Sequence, residues 1–444
     1  MHAIGACLGP CSNTVGRRRC AQIFVFSVAA MRFLHTSDLH LGRSLYNADR
    51  SQAFTALLEW LVKTVEEQSV ECLIIAGDVF DNTTPTYFMQ QNYYRFLTRV
   101  TQTPSCRHVV VTGGNHDSAQ FLNAAGSVLS SINVHVVGQA CESIDDEVLV
   151  LDDRNGQPQS IVLAVPYLRE KDIRASRAGE MLEDKERNIV EGVRAHYRAA
   201  FERAQQVRSV SDANLPVVAV GHLFAAECNV SDEERTVYIG SLAAVPADVF
   251  DKDIDYVALG HVHRPQCVGA DATRRYCGAP LVMNFSEADR KPTVLVVDID
   301  RSKESSVDIT PIPVPAFDRL VRLEGNLSYV LEGLASLKGS TVPVFVEIVL
   351  TPTNAMAVAV ESCREAAHEA GVQIARIITP AVLARRLAQT EAVTEVASLT
   401  PQDVFALRLA KEEALSQEEK EALIKAHESI LQDLQEGEKA REGD

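Results

Sequence analysis

Between residue 31 and about residue 300, short apolar runs alternate with stretches in which apolar residues recur every three or four positions. An unbroken apolar run marks a strand covered on both faces, and the longer recurrence marks a helix that packs one face on a sheet. RFLHTS, CLIIAGD, RHVVVTGGN, NVHVV, IVLAVPY, PVVAVGH and DYVALGH therefore read as strands, and 51–67, 85–101 and 184–207 as helices. Most of the runs end at a glycine followed by polar residues. This is the rhythm of an α/β protein. The pieces in RRYCGAPLVMNFSEADRKPTVLVVDID are β-rich and close the first domain, 31–310.

PIPVPAF, at 311–317, reads as a linker because its prolines interrupt regular structure. Beyond it the pattern predicts a strand at 318–324, a helix at 328–337, a strand at 342–350, a helix at 355–370 and a strand at 372–378. These form a small α+β unit at 317–380. From Thr400 the chain reads as helix, with TPQDVFAL supplying a cap and a proline in the first turn. Residues 401–444 hold 12 acidic and 6 basic side chains, which suits a solvated helix and a helix docked on a partner equally well. At the other end, GRRRCAQIFVFSVAA has the charge and apolar pattern of a signal peptide. The preferred expectation is that 1–30 is an extension ahead of a mis-assigned start, with Met31 the true first residue. No later stretch approaches the ~18 apolar residues of a membrane span.

With 444 residues, 46% of them hydrophobic, the chain can bury a sizeable core. Its formal charge of -17 excludes a global positive field that would draw it onto nucleic acid. A polyanionic substrate would need positive charge from metals or from a partner. The ten cysteines are scattered without any C-x-x-C pair, as expected for reduced thiols in a cytoplasm.

Five short motifs stand where strands are predicted to end: SDLH (Asp38, His40), GDVFD (Asp78, Asp81), GGNHD (Asn115, His116, Asp117), VGHLF (His222) and LGHVH (His261, His263). Alone, each reads more simply as a polar turn or a hydrogen-bonded histidine. Together they converge, because loops at the carboxyl ends of strands in an open α/β sheet meet in one crevice. Alternate residues of an extended chain point the same way, so Asp38 and His40 can reach one ion, as can His261 and His263 or a near pair. Glycines before Asp78, Asn115, His222 and His261 would let the backbone turn sharply there. Asp38, His40, Asp78, Asn115, His222, His261 and His263 offer oxygen and imidazole donors without thiolate, a set suited to Mn²⁺, Fe²⁺ or Zn²⁺. Seven donors exceed the needs of one ion. Two ions sharing a carboxylate, ~3.5–4 Å apart as in phosphoesterases, fit the count.

The order D-x-H, G-D, G-N-H-D, G-H, G-H-x-H resembles the calcineurin-like metallophosphoesterase superfamily. MRFLHTSDLHLGR, LIIAGDVFD, VVVTGGNHDS, VYIGS, DYVALGHVHRPQ and RYCGAPLVMNFSE resemble its SbcD branch, the nuclease subunits of bacterial SbcCD complexes, and the likeness covers roughly 31–430. It implies the four-layer fold, two mixed sheets flanked by helices, with a capping domain that steers DNA. It also implies one metal held by Asp38, His40, Asp78 and His263, and a second by Asp78, Asn115, His222 and His261. His116 would face the phosphate or protonate the leaving oxygen. Asp81, where some relatives carry histidine, would support the ligands. Mn²⁺ is the implied metal, with Mg²⁺ weaker. The helices in 381–444 would bind the coiled coil of an SbcC-type ATPase, which alone would use ATP, within a heterotetramer built on a homodimer. The implied activity is ATP-dependent 3'-5' exonuclease on duplex DNA ends, and endonuclease on single strands and hairpins. The implied setting is DNA repair, recombination and replication at the nucleoid.

Three other readings compete. A protein phosphatase of the superfamily would carry Asp-Arg-Gly after the second-motif aspartate and glutamate after the histidine of the third motif, where this chain has GDVFDNTTP and GGNHDS. A small-molecule or cyclic-nucleotide phosphodiesterase would not need the second domain and the helical tail. A non-catalytic scaffold would have lost ligands, yet all seven positions are filled by residues able to bind metal.

Overall fold

The apolar runs become the central strands of two six-stranded sheets. The structure is a computed structural model that describes residues 31–46, 48–173, 182–226, 228, 244–303, 306–353, 355–379, 423 and 426. The extension at 1–30 and the tail read as partner-binding helices lie outside the described residues, apart from 423 and 426.

In chain order the first domain contains β1 (Met31–Thr36), α1 (Ser51–Glu67), β2 (Cys72–Ala76), α2 (Tyr87–Thr101), β3 (His108–Thr112), α3 (Ala119–Ala124), α4 (Gly126–Ser130) and β4 (Val134–Val137). It continues with β5 (Val148–Asp152), β6 (Pro158–Ala164), α5 (Glu170–Ile173), α6 (Leu182–Val210), β7 (Val217–His222), β8 (Tyr256–Gly260), β9 (Gln266–Val268), β10 (Asp271–Tyr276), β11 (Thr293–Ile299) and β12 (Val307–Pro313). The sheets run β12-β11-β1-β2-β3-β4 and β5-β6-β7-β8-β10-β9, with β1 to β4 mutually parallel and β6, β7, β8 and β10 mutually parallel.

Side-chain alternation explains the unbroken runs. In β2, Leu73 and Ile75 join the core that holds Phe54, Leu57 and Leu61 of α1 with Tyr93 and Phe96 of α2. Cys72, Ile74 and Ala76 face the second sheet instead, against a cluster that includes Val218, Val220, Tyr256 and Ala258. Val257 and Leu259 of β8 then pack on Val193, Tyr197 and Phe201 of α6. The result is helices, sheet, sheet, helix: the four layers the resemblance implied. The predicted α1 has its predicted bounds. Helix α2 begins where Thr86 accepts a hydrogen bond from the Met89 amide, two residues later than read. Strand β5 escaped the sequence because it is an edge strand with only Leu151 buried.

One boundary is corrected. The segment read as a linker from 311 instead completes β12, pairing Pro311 with Leu295 and Pro313 with Thr293. An edge strand tolerates proline because its outer N–H positions need no partner. The connection proper starts at Val314.

The small unit follows as β13 (Arg319–Gly325), α7 (Leu327–Ser336), β14 (Val344–Leu350), α8 (Met356–Ala370) and β15 (Gln373–Ile378). Each helix carries the chain back across the sheet, so the three strands, ordered β13-β14-β15, are all parallel. One face of this sheet is covered by its own helices, through Val330, Leu334, Ala359 and Cys363. On the other, Leu320 and Phe345 pack on Leu45, Ala48 and Phe285 of the first domain. Beside that contact, buried Arg50 meets Asp318 through two hydrogen bonds, 2.7 and 3.0 Å. Asp318→Ala should destabilise the folded chain by about 3–5 kcal/mol in denaturant titrations, since it strands a buried guanidinium. Arg50→Met combined with Asp318→Leu should recover most of that loss.

Candidate metal centre

All five motifs meet at the carboxyl ends of β1, β2, β3, β7 and β8, interior strands of the two sheets packed face to face. The loops are laced together before any side chain is considered. The Asp38 and His40 amides donate to the carbonyls of Gly77 and Asp78, each at 3.0 Å. Buried Asp117 accepts from the amides of Val79, Phe80 and Gly114 at 2.9–3.0 Å, tying the loop after β2 to the loop after β3. The third motif contained this residue, but its role is invisible in the sequence.

The predicted donors fall into overlapping groups. Asp38, His40 and His263 place ligand atoms within 4.8 Å of one another, as do His40, Asp78 and His116, and as do Asp78, His222 and His261. His261 and His263 thus serve different groups, not one ion together. Asn115 joins the last group, with its Oδ1 3.0 Å from His222 Nε2. Asp78 stands between the groups: its Oδ2 lies 3.6 Å from His40 Nε2 and 3.3 Å from His222 Nε2. Its Oδ1 accepts from the His116 amide at 2.9 Å. Asp38 accepts from the His261 amide, at 2.9 Å to Oδ1, and from the Ser37 hydroxyl.

The extended-chain argument for Asp38 and His40 does not hold, because both lie past the end of β1 with φ of 51° and 42°. Asp78 and His261 have φ of 49° and 98°. Left-handed backbone at non-glycine residues costs roughly 1–3 kcal/mol each and persists only where the surroundings impose it. Here four such residues aim their side chains at one spot. The glycines before the ligands mostly act differently from the expectation. Among the four, Gly77 alone has positive φ, 80°. Gly260 is needed for room: a Cβ there would come within 1.8 Å of the Ala76 carbonyl oxygen.

Ring orientation leaves the inward nitrogens facing one another. His222 donates from Nδ1 to the Ala76 carbonyl at 3.0 Å, and His263 Nδ1 meets Glu287 Oε1 at 2.9 Å. His263 Nε2 then faces His40 Nε2 at 3.3 Å. Two donors each ~2.1 Å from an ion at near-tetrahedral angles stand about 3.4 Å apart, so these separations suit a shared cation. The donor set and its spacing fit divalent metal.

The outer partners differ between the groups. His40 Nδ1 lies 3.4 Å from Asp81, which Arg43 holds at 2.9 Å. His263 is backed by Glu287, itself paired with Arg290 at 3.2 Å. Burial alone would raise the Glu287 carboxyl, but the charges of His263 and Arg290 bring it down to about 2. Asp81 is likewise brought down to about 2 by His40 and Arg43, against burial. Asp81 thus lies against His40, whereas Glu287, 24 residues from His263, was not among the residues read from the sequence. Nothing local in NFSE marks it. His116 Nδ1 meets the Asp81 carbonyl at 3.0 Å, and its ring stands edge-on to His40, centroids 4.9 Å apart.

The Calcineurin-like phosphoesterase profile matches residues 31–265, and the Type 5 capsule protein repressor C-terminal domain profile matches 316–413. The SbcD protein of the SbcCD nuclease of Escherichia coli (strain K12) is 35% identical over 323 residues, 72% of this chain and 78% of that one. Its counterparts of the same name from Rhodobacter capsulatus and Bacillus subtilis are 34% and 31% identical, over 64% and 62% of this chain and 70% and 68% of theirs.

Proposed function

From the membership of this chain in the SbcD family of calcineurin-like phosphoesterases, metal-dependent nucleases, we propose that it hydrolyses DNA phosphodiesters with two divalent ions. Asp78 carries the reading: its carboxylate faces both histidine groups, where a carboxylate shared by two ions would stand. Asp38, His40, Asp78 and His263 would hold the first ion, and Asp78, Asn115, His222 and His261 the second. When bound, the pair supplies charge to neutralise the phosphate and an activated water. This removes the difficulty of an acidic chain acting on a polyanion. Mn²⁺ is the proposed metal, given the imidazole and carboxylate donors.

The chain's own residues do the rest. Glu287 fixes the tautomer of His263 from behind, and the Asp81 carboxylate lies behind His40. His116, with Nδ1 held at the Asp81 carbonyl, presents Nε2 to the phosphate, where it stabilises the developing charge or protonates the leaving oxygen. By its family, the chain would work as the nuclease subunit beside an SbcC-type coiled-coil ATPase, cutting duplex ends exonucleolytically and hairpins and single strands endonucleolytically. The full chain with that partner should cut a DNA hairpin in Mn²⁺ and ATP. Cleavage of small phosphate esters alone would overturn the proposal.

Metal uptake should depend on pH. Burial would lower His222, but the charges of Asp78 and Asp38 hold it up to about 9 from its usual 6.5. An entering ion must displace that proton, so affinity at the second site should tighten by nearly tenfold per pH unit from 7 towards 9 and level off above. Calorimetry with Mn²⁺ at several pH values checks this. The sign for the metal-free fold is opposite. The stability that the His222–Asp78 pair contributes is full below about 6.5 and is lost as pH rises through about 9.

Among the described residues no helix is long and apolar enough to cross a membrane.

A further inference from the structure

The loop that follows the first metal motif reaches the small unit. Its start is pinned at the site, where the Leu41 amide donates to the Val79 carbonyl at 2.9 Å. Its end is pinned to the small unit by the buried Arg50–Asp318 pair. Between them Leu45 and Ala48 exchange backbone hydrogen bonds across a tight turn, with Tyr46 at φ 56°. Tyr46 is 44% exposed, so burial does not explain its strained position. Its neighbours do. On one side the ring stacks on Phe285, with centroids 6.4 Å apart and planes 11° from parallel. On another it carries the Arg376 guanidinium, 4.3 Å from the ring centroid.

Both neighbours are themselves held. Arg376, on β15, is bonded to Glu347, a wholly buried carboxylate on β14 that also meets Arg322 of β13 at 3.3 Å. Phe285 opens a 3-10 turn, Phe285–Glu287. Two residues on, Glu287 takes His263 Nδ1 at 2.9 Å and the Met283 amide at 3.1 Å. An unbroken line of contacts therefore runs from the sheet of the small unit through Arg376, Tyr46, Phe285 and Glu287 to His263.

We propose that Tyr46 is a positioning residue through which the small unit sets the orientation of His263, and with it the affinity of the first metal site. The inference rests on the two-ion reading above. Docking of the small unit keeps Tyr46 against Phe285, which keeps the turn and its carboxylate in register with the imidazole. Displacement of the small unit releases the turn. The stack and the cation–π contact are both made by the ring.

The test is a Mn²⁺ titration of the full chain, followed by calorimetry and by the electron paramagnetic resonance of free Mn²⁺. Tyr46→Ala should weaken one of the two ions about fivefold, the worth of one partly shielded cation–π contact, and leave the other unchanged. Arg376→Gln should act on the same ion. Glu287→Gln should weaken that ion by about tenfold or more. Adding Tyr46→Ala to it should cost no further affinity, because both act through one imidazole. A Tyr46→Ala protein that binds both ions like wild type overturns the proposal, as does a double variant showing the product of the two losses. A wild-type chain that takes up fewer than two ions overturns the two-ion reading instead.

Discussion

Asp78→Asn should remove DNA cleavage almost completely, by at least about a thousandfold, because in the proposed two-ion centre its charge would be the one that both cations share. The size of the effect follows from position. Asp78 Oδ2 is the atom that both His40 and His222 approach, within 3.6 and 3.3 Å, so its loss damages both ion sites at once. Asparagine keeps an acceptor at Oδ1 for the His116 amide, whereas alanine also frees the third loop. Asp78→Ala should therefore fail as completely, with a less ordered GGNHD loop in hydrogen exchange. Mn²⁺ stoichiometry and hairpin cleavage, measured on the same preparation, check the prediction. A variant that cuts like wild type would remove Asp78 from the mechanism.

His116→Ala should behave differently: cleavage should fall by about 10²–10⁴, the usual worth of a positioned acid or electrostatic group, while both ions still bind. Proximity alone does not decide the point, since His116 stands within 4.8 Å of donors on His40 and Asp78. What distinguishes its part from that of a ligand is whether the metal isotherm survives its removal. Loss of an ion together with activity would make His116 a ligand. Unchanged cleavage would reduce it to a side chain that braces the loop at the Asp81 carbonyl.

The sequence was most informative where a residue's task is local. The strand runs were legible because every central strand is covered on both faces, and α1 was legible because its buried positions repeat at helical spacing. Prolines misled at 311–317, where their exclusion from strands does not apply to an edge. The glycines before the ligands were read as hinges. The structure gives most of that bending to the candidate donors themselves, at Asp38, His40, Asp78 and His261, with glycine mainly allowing close approach.

The sequence by itself determined the α/β class, the position of each donor at a strand end, and a donor set suited to divalent metal. Composition and strand-end chemistry depend on neighbours along the chain, so no packing is needed to read them. Tertiary structure alone decided which donors share a group, because the Asp38 and His261 contact joins residues 223 apart across two sheets. It alone revealed Asp117 behind the loops, Glu287 behind His263, and the route from the small unit through Tyr46. Each of those roles is a contact between segments whose separation in space is set by how the two sheets and the small unit pack, and no local pattern encodes that distance.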